Sequence, residues 1–592
     1  MLKMRVATAV AKFLEKLGTE YIFAYNGHGN WPLLDALVYE SNVKTIRTRS
    51  EDHATHMADC YWRMKRRLPL GVVCVTCGPG AMNVTPALAN AFYDSSALLL
   101  IAGGVPTQWY DRGCLQETYR YSPEAWTQMV STITKKSILV NRPDTCLEML
   151  VRAYKDALSG RPGPVVVQIP YDIQNTEIEM KGIPERLNKW VEIYPPGPNL
   201  DAIKEAAKLI QKAKFPLVVV SSGIHNARAW EELKEFSEQF QLPVATTLMG
   251  RGALSEDHPL CLGGVGRFGT LQAIQASLEC DVLIAIGIRF NDKDTSGWKI
   301  YNIPHKTQLI HIDIDPTEIN RVYPAEVAIL SDAKAALQAL TQELKAMRFK
   351  PNHSAWIKKL AIWKEEWKTR IQPFREDPSF PIHYARLCSE ASRVINEIDP
   401  ATSVLFDSGN INNYGLQHFK SCSPFISSNG NQFSRMGWSG AGIIGAKLAN
   451  PNHPAIAFIG DGSFIMTGMA VATAKEYDIP VSWVILNNKS LQTEREATER
   501  IFGRHALCDY KIEKTGELWN PDFIKFAESM AVEGFRVQEP SDIRPAIEKA
   551  MKTEAPLIID VPTHLGVKQY SVSPPFSYPR LFEMRGLDDP PF

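Results

Sequence analysis

Gly460-Asp461-Gly462-Ser463-Phe464 follows an apolar run, Pro454-Ala455-Ile456-Ala457-Phe458-Ile459, and precedes a helix-like segment from Met466 to Tyr477. The chain then returns to an apolar run, Val481-Ser482-Trp483-Val484-Ile485-Leu486, which ends at Asn487-Asn488. Two short apolar runs around a helix predict a strand–helix–strand unit with parallel strands. Parallel strands leave a sheet on one edge, and open α/β sheets bind ligands there. Asp461 and Asn488 would meet at that edge as hard oxygen ligands, a set that suits Mg²⁺ shared between protein and phosphate. The glycines beside Asp461 let backbone approach such a ligand closely. Taken alone, the same letters also describe a plain turn and a loop; the flanking runs and the spacing favour the ligand site.

The 592 residues predict two to four domains. Hydrophobic content is 45%, charged content 22% and formal net charge zero, so nucleic acid or an anionic membrane is not the expected partner. No apolar run is long enough to span a bilayer, and residues 1–18 read as an amphipathic helix without a signal-peptide core. The ten cysteines are scattered. Cys74-Val75-Thr76-Cys77 has no partner pair at zinc-site spacing, so reduced, structural thiols in a cytoplasmic compartment are expected.

Residues 1–180 alternate helix-like and strand-like segments, among them Tyr21–Tyr25, Val72–Val75, Ala97–Ile101 and Pro164–Pro170. Residues 181–198 are polar and end Tyr194-Pro195-Pro196-Gly197-Pro198, which reads as a linker. A second alternating stretch covers 199–345, and a charged, Trp-containing stretch at 346–378 reads as a surface helix plus connection. Residues 379–570 hold a third alternating stretch with the opening motif. The fold class is therefore α/β, with three doubly wound parallel-sheet domains. The Pro-rich tail, 571–592, reads as extended chain packed over a surface, with covering of a site entrance as the alternative.

A second constellation lies in the first stretch. Arg49-Ser50-Glu51-Asp52-His53 precedes an Ala- and Met-rich helix, and Val75-Thr76-Cys77-Gly78-Pro79-Gly80-Ala81-Met82-Asn83 follows a strand. Together with Gly460–Asn488, this resembles the thiamine-diphosphate (ThDP) enzymes, whose cofactor motif reads GDG and then NN. The resemblance sharpens to the acetolactate (acetohydroxyacid) synthase large-subunit branch through Thr76–Gly80, Leu115-Gln116-Glu117, Gly160–Pro164, Thr246–Gly250, Gly287–Asp292, His311–Asp315, Met436-Gly437 and Asn520–Phe523.

That resemblance implies ThDP and Mg²⁺ as cofactors, with FAD left open. It implies Asp461, Asn488 and the Ser490 carbonyl as metal ligands, and Gly460, Gly462, Ser463, Gly409 and Asn410 beside the diphosphate. Glu51 would bond a nitrogen of the cofactor's pyrimidine ring, with Asn83 nearby; capping a helix, or pairing with Arg47 or Arg49, is the structural alternative. Met436 would support the cofactor from below. Gln116, Lys135 and Leu491 would line the substrate channel, and Arg289, Asp313, Thr247 and Leu248 would hold FAD. The implied reaction is decarboxylation of a 2-oxo acid and transfer of its remainder to a second carbonyl. A homodimer or homotetramer with shared sites is also implied.

The chain departs from the branch at four places. His28, in Asn26-Gly27-His28-Gly29-Asn30, replaces a glycine and brings the loop closer to cyclic-dione hydrolases; it is either a proton donor or acceptor or a surface residue. Ala497 stands where the branch has a Trp, among Glu494, Arg495 and Glu496, which widens the acceptor pocket. Ser221-Ser222-Gly223 replaces a glycine-rich turn at the flavin, and Ala470 replaces a Glu after the GDG motif. The readings carried forward are an acetolactate synthase-like carboligase, a ThDP-dependent C–C hydrolase or lyase acting on a diketone, an FAD-linked ThDP oxidase, and a non-catalytic protein on the same fold.

Overall fold

The computed structural model describes residues 2–118, 120–180, 183–429, 432–566 and 571–572. They form three six-stranded sheets in which every strand pairing is parallel. The inner strands are short runs rich in Val, Ile, Leu and Ala whose residues are almost all buried, as expected when helices cover both faces, whereas edge strands such as Lys44–Arg47 and Glu533–Arg536 are partly exposed.

The first sheet runs, edge to edge, Lys44–Arg47, Tyr21–Ala24, Gly71–Val75, Leu98–Gly104, Pro164–Pro170 and Lys136–Leu139. Counted in chain order this is 2-1-3-4-6-5. The third sheet has the same order: Ile426–Ser428, Ser403–Phe406, Ala455–Gly460, Ser482–Asn487, Leu557–Pro562 and Glu533–Arg536. The central sheet is different, 3-2-1-4-5-6, with Pro216–Val220 and Val282–Ile286 adjacent at its centre. In each sheet the order reverses between two central strands, and the crevice at such a reversal is where open α/β sheets bind ligands.

Several sequence expectations need adjustment. The segment from Met466 to Tyr477 is not one helix: Asp461–Thr467 and Ala470–Glu476 are separated at Gly468-Met469. Strand Leu2–Arg5 precedes the first helix and pairs antiparallel with Glu177–Met180. The stretch at 346–378 is more than a surface helix. Within helix Ser354–Arg375, Trp356 and Trp367 are buried, and the Trp356 indole N–H donates to the Pro216 carbonyl. Leu187 and Val191 of the stretch between the first two sheets pack into the first core. The tail expected at 571–592 lies outside the described residues except for Ser571 and Val572.

One contact fixes how the first and third sheets meet. Helix Glu51–Lys65 follows the second strand of the first sheet, and helix Trp438–Ala449 follows the second strand of the third, so the two are topological equivalents. They pack on each other and share a core with both sheets. Gly442 and Gly445 make the approach possible, because a Cβ at either would collide with Cys60 or with the Met57 carbonyl. Within this dry interface, Arg63 forms a bidentate pair with Asp59 (2.7 and 3.0 Å), binds Asp94 at 2.9 Å and donates to the Ser428 carbonyl at 3.0 Å. The Trp438 indole N–H donates to Asp59 at 2.7 Å. The guanidinium offsets two carboxylates that would otherwise be buried without a counter-charge. Replacing Arg63 with Met should therefore cost about 3–5 kcal/mol in denaturant unfolding; a loss near zero would show that the network carries no stability.

Candidate active site

At the third sheet, three neighbouring strands deliver their exits to one edge. Ser403–Phe406 leads into Asp407-Ser408-Gly409 and a helix from Asn410; Ala455–Gly460 leads into the helix that starts at Asp461; Ser482–Asn487 leads into Asn488 and a helix from Gln492. Three helix N-termini thus point toward one region, an arrangement that favours anions. Asp461 is buried and its oxygens are oriented by donors: Oδ1 accepts from the Gly462 N–H at 2.8 Å, and Oδ2 accepts from the Lys489 N–H at 2.6 Å and from Asn520 Nδ2 at 2.7 Å. Burial pushes its carboxyl up to about 6, against the lowering effect of the N–H donors around it. Asn488 donates its amide N–H to Tyr384 Oη at 2.6 Å, and its Oδ1 accepts from the Ser490 N–H at 2.8 Å. A cation at this carboxylate would restore its charged form, so the donor set fits a hard divalent ion.

Around this edge, Leu491 and Tyr510 crowd Gly462, where a side chain would meet the Tyr510 hydroxyl. Asn410 links the Asp407-Ser408-Gly409 turn to the helix that carries Ala497: its Nδ2 donates to Glu496 Oε1 at 2.9 Å and its Oδ1 accepts from the Thr493 hydroxyl at 2.9 Å. Of the three charged residues expected to alter the acceptor pocket, Glu496 is held this way and Arg495 is paired with Asp509 at 2.7 Å, while Glu494 is exposed. Ala497 is half-buried. Met436 is fixed from both sides. Gly437, at φ +85°, donates its N–H to Asp407 at 2.9 Å, and Arg435 grips the Met436 carbonyl. Asp407 also accepts from the Ser439 N–H and hydroxyl and from the Ser463 hydroxyl.

At the first sheet, the reversal lies between Tyr21–Ala24 and Gly71–Val75, so the loops Tyr25–Gly29 and Thr76–Gly80 face each other. The Gly29 N–H donates to the Thr76 hydroxyl at 3.0 Å, and the His28 Nε2 lies 3.5 Å from Cys77 Sγ. Glu51, the first residue of its helix, is buried, and its Oε2 accepts from Asn83 Nδ2 at 3.0 Å. Gly80 leaves the room that Glu51 Oε1 occupies, since a Cβ there would lie 2.8 Å from it. Gln116, at φ +60°, packs its backbone and Cβ on Gly78. Glu51, His28, Gln116 and Asn83 are thereby gathered around one pair of loops. Lys135 is not held among them. Its stem covers Gly163 and its ammonium donates to the Ser159 carbonyl, while burial lowers it to about 8.

A cavity of about 370 Å³ lies between the first and central sheets at the central reversal. Gly223 and Gly287 cross there with a would-be Cβ on one only 2.6 Å from the other's Cα. Arg289, Asp313, Arg161 and Ser222 line it. Thr247 is buried and its hydroxyl is committed to Ser221 at 2.8 Å, while Leu248 begins the short turn Leu248–Gly250. Of the four residues expected to hold FAD, Arg289 and Asp313 reach the cavity wall.

Sequence reading missed Tyr384, Asp407 and the Asp52–Arg435 pair, and gave Asn520 no role beyond its place in the Asn520–Phe523 segment. Asp407 had a signal, since it directly follows a strand on the ligand edge. Tyr384 and Asn520 reach Asn488 and Asp461 from far along the chain, where no local spacing betrays them.

The geometry gathers three helix N-termini with buried Asp461 and Asn488 at one sheet edge of an α/β fold and a buried Glu51 carboxyl at another. The chain belongs to the thiamine pyrophosphate (thiamine diphosphate) enzyme family, in its acetolactate synthase large-subunit branch. It matches the family's N-terminal TPP-binding domain over residues 4–123, its central domain over 203–340 and its C-terminal TPP-binding domain over 407–561. It is 35% identical over 566 residues to a probable acetolactate synthase large subunit of Methanocaldococcus jannaschii, covering 94% of this chain and 92% of that one. It is 31% identical to the acetolactate synthase large subunit of Parasynechococcus marenigrum, over 96% of this chain and 89% of that one. It is also 31% identical to the chloroplastic acetolactate synthase 2 of Nicotiana tabacum, over 93% and 80%.

Burial raises the Asp313 carboxyl to about 6, offset in part by the Asp315 N–H. The folded state therefore binds a proton that the unfolded state releases near pH 4, and stability rises as pH falls from 7 toward 4. Asp313→Asn should stabilise the protein at pH 7.5, on the order of 2–3 kcal/mol, with the gain vanishing by pH 4. Equal melting temperatures of the two proteins at pH 7.5 would contradict this.

Proposed function

We propose that the chain uses ThDP and Mg²⁺ to decarboxylate a 2-oxo acid of the pyruvate type and to join the remaining fragment to a second carbonyl compound, as acetolactate synthases do. One observation carries this reading. A buried Glu51 stands at the ligand edge of the first sheet, and a buried Asp461 stands with Asn488 at the ligand edge of the third. The units at 1–180, 199–345 and 379–570 then serve as pyrimidine-binding, central and diphosphate-binding domains.

ThDP, when bound, supplies a nucleophilic carbon and a ring that holds the charge left by departing CO₂. Asp461, Asn488 and the Ser490 carbonyl would hold Mg²⁺, with Gly460, Gly462, Ser463, Gly409 and Asn410 at the diphosphate. Glu51 would share a proton with a pyrimidine nitrogen, oriented by Asn83. Met436, clamped on both sides, would support the rings. Leu491 and Tyr510 would limit water at the diphosphate end. The central cavity fits a nucleotide, being near the small end of ligand pockets; Arg289 and Asp313 would hold the nucleotide half of FAD. A flavin absorbance spectrum on the purified protein tests that part separately.

Among the described residues, no hydrogen bond or ion pair joins Glu51 to Asp461. Exposed Met82 lies beside Asn83, and exposed Ile465, Met466 and Met469 follow the Asp461 motif. Apolar surface next to both half-sites favours a second copy of the chain that completes each site. The contact of His28 with Cys77 at the first-sheet reversal favours one further reading, hydrolytic cleavage of a cyclic diketone with His28 handling the proton. A panel of 2-oxo acids, aldehydes and cyclic diketones, with products identified by mass, separates the two.

Glu51→Gln should lower turnover by at least about 10²-fold with an unchanged melting temperature; full activity in that variant would remove the mechanism. Asp461→Ala should abolish Mg²⁺-dependent ThDP binding in calorimetry, and binding at wild-type affinity would dismiss the metal assignment.

A further inference from the structure

One side chain joins the start of helix Glu51–Lys65 to the turn before helix Trp438–Ala449. Arg435 Nη2 donates to Asp52 Oδ2 at 2.6 Å, and Arg435 Nη1 donates to the Met436 carbonyl oxygen at 2.5 Å. Both partners are held on their far sides. Asp52 Oδ1 accepts from the Ser50 hydroxyl at 2.5 Å and from the His53 N–H at 2.9 Å, and the Arg435 N–H donates to Asn90 Oδ1 at 3.3 Å. The pair is largely enclosed, with the side chains 14% and 19% exposed.

The location gives the pair its consequence. Glu51 directly precedes Asp52, and Met436 directly follows Arg435. The first turn of a helix has unsatisfied N–H groups and frays unless something holds it. Ser50 makes no side-chain cap on this helix, so Asp52, anchored by Arg435, holds the turn that carries Glu51. The same guanidinium fixes the carbonyl of Met436. A forked cation can serve both acceptors at once, whereas an ammonium is a point charge and cannot span them in one fixed geometry.

We propose that Asp52 and Arg435 are a positioning pair that sets Glu51 and Met436, each toward the cofactor ring it faces. This rests on the reading of Glu51 and Met436 as ThDP contacts. In a dimer whose sites are completed by the second copy, Glu51 and Met436 of one chain serve different cofactors, and the clamp then ties the two sites together. The pair touches neither substrate nor cofactor and acts only through its neighbours. The pair acts through geometry, and a displacement near 1 Å at a reacting centre lowers rate by about 10²-fold.

The test uses the full-length protein loaded with ThDP and Mg²⁺. Asp52→Asn and Arg435→Lys are compared with wild type in turnover, in ThDP affinity by calorimetry, and in the near-ultraviolet circular dichroism of the bound aminopyrimidine. The melting temperature of each variant without cofactor is also measured. The expected result is a loss of turnover of about tenfold to 10²-fold in each variant. The dichroic signal should weaken at full cofactor occupancy, while affinity moves less than about threefold and melting stays close to wild type. The double variant Asp52→Asn/Arg435→Lys should be no slower than the worse single one, as expected of a shared interaction. Wild-type turnover and dichroism in both variants, or losses that multiply in the double variant, would overturn the pair. Failure of the wild-type protein to bind ThDP with Mg²⁺ would instead overturn the underlying reading, and the inference with it.

Discussion

The approach of helix Glu51–Lys65 to helix Trp438–Ala449 is the constraint on which the remaining structure depends. Two helices come close enough for backbone contact only where one offers glycine, and here Gly442 and Gly445 do so. The closeness leaves no room for water, so the charges caught in it must satisfy each other. Arg63 meets that demand with Asp59, Asp94 and the Ser428 carbonyl, and the Trp438 indole completes Asp59. An arrangement of this kind is costly to assemble and costlier to break, which makes it a fixed reference for everything attached to it. Glu51 begins one helix and Met436 stands just before the other, so both inherit that rigidity.

Chemistry is placed by strand order. Each sheet has a reversal beside the strand that opens it, and each of these reversals opens a crevice. The first holds the loops with His28, Cys77 and the nearby Glu51. The second holds the cavity of about 370 Å³ lined by Gly223 and Gly287. The third holds Gly409, Asp461 and Asn488. In the third, adjoining helix N-termini supply a positive field for anionic oxygen, while Asp461 and Asn488 supply the opposite character for a cation beside it. The two requirements are met within one edge because parallel strands all exit in the same direction.

Much of this was legible from the sequence because it is written locally. Apolar runs of the Val218 or Ile456 kind mark buried parallel strands, and GDG with NN marks the edge at which they end. Glu51 was legible only together with that second motif, since a carboxylate at a helix start has ordinary uses. The break at Gly468-Met469 escaped notice because residues on either side keep a helical pattern. Trp356 and Trp367 were read as surface because their neighbours are charged, whereas alternate faces of one long helix meet solvent and the central core. Asn520 stood out only as part of a family-like segment and Tyr384 not at all, because their partners are 59 and 104 residues away and only the folded chain brings them together.

The equal strand order of the first and third sheets, and the meeting of their equivalent helices, place within one polypeptide the geometry of a two-fold contact between like parts. In a true symmetric contact, whatever one face carries the other must carry too. Enclosed in a single chain, the two faces are encoded separately and are released from that obligation. One helix is free to begin with a carboxylate suited to proton exchange, the other to follow an apolar thioether suited to support. Division of labour between two topologically equivalent surfaces is what covalent linkage permits.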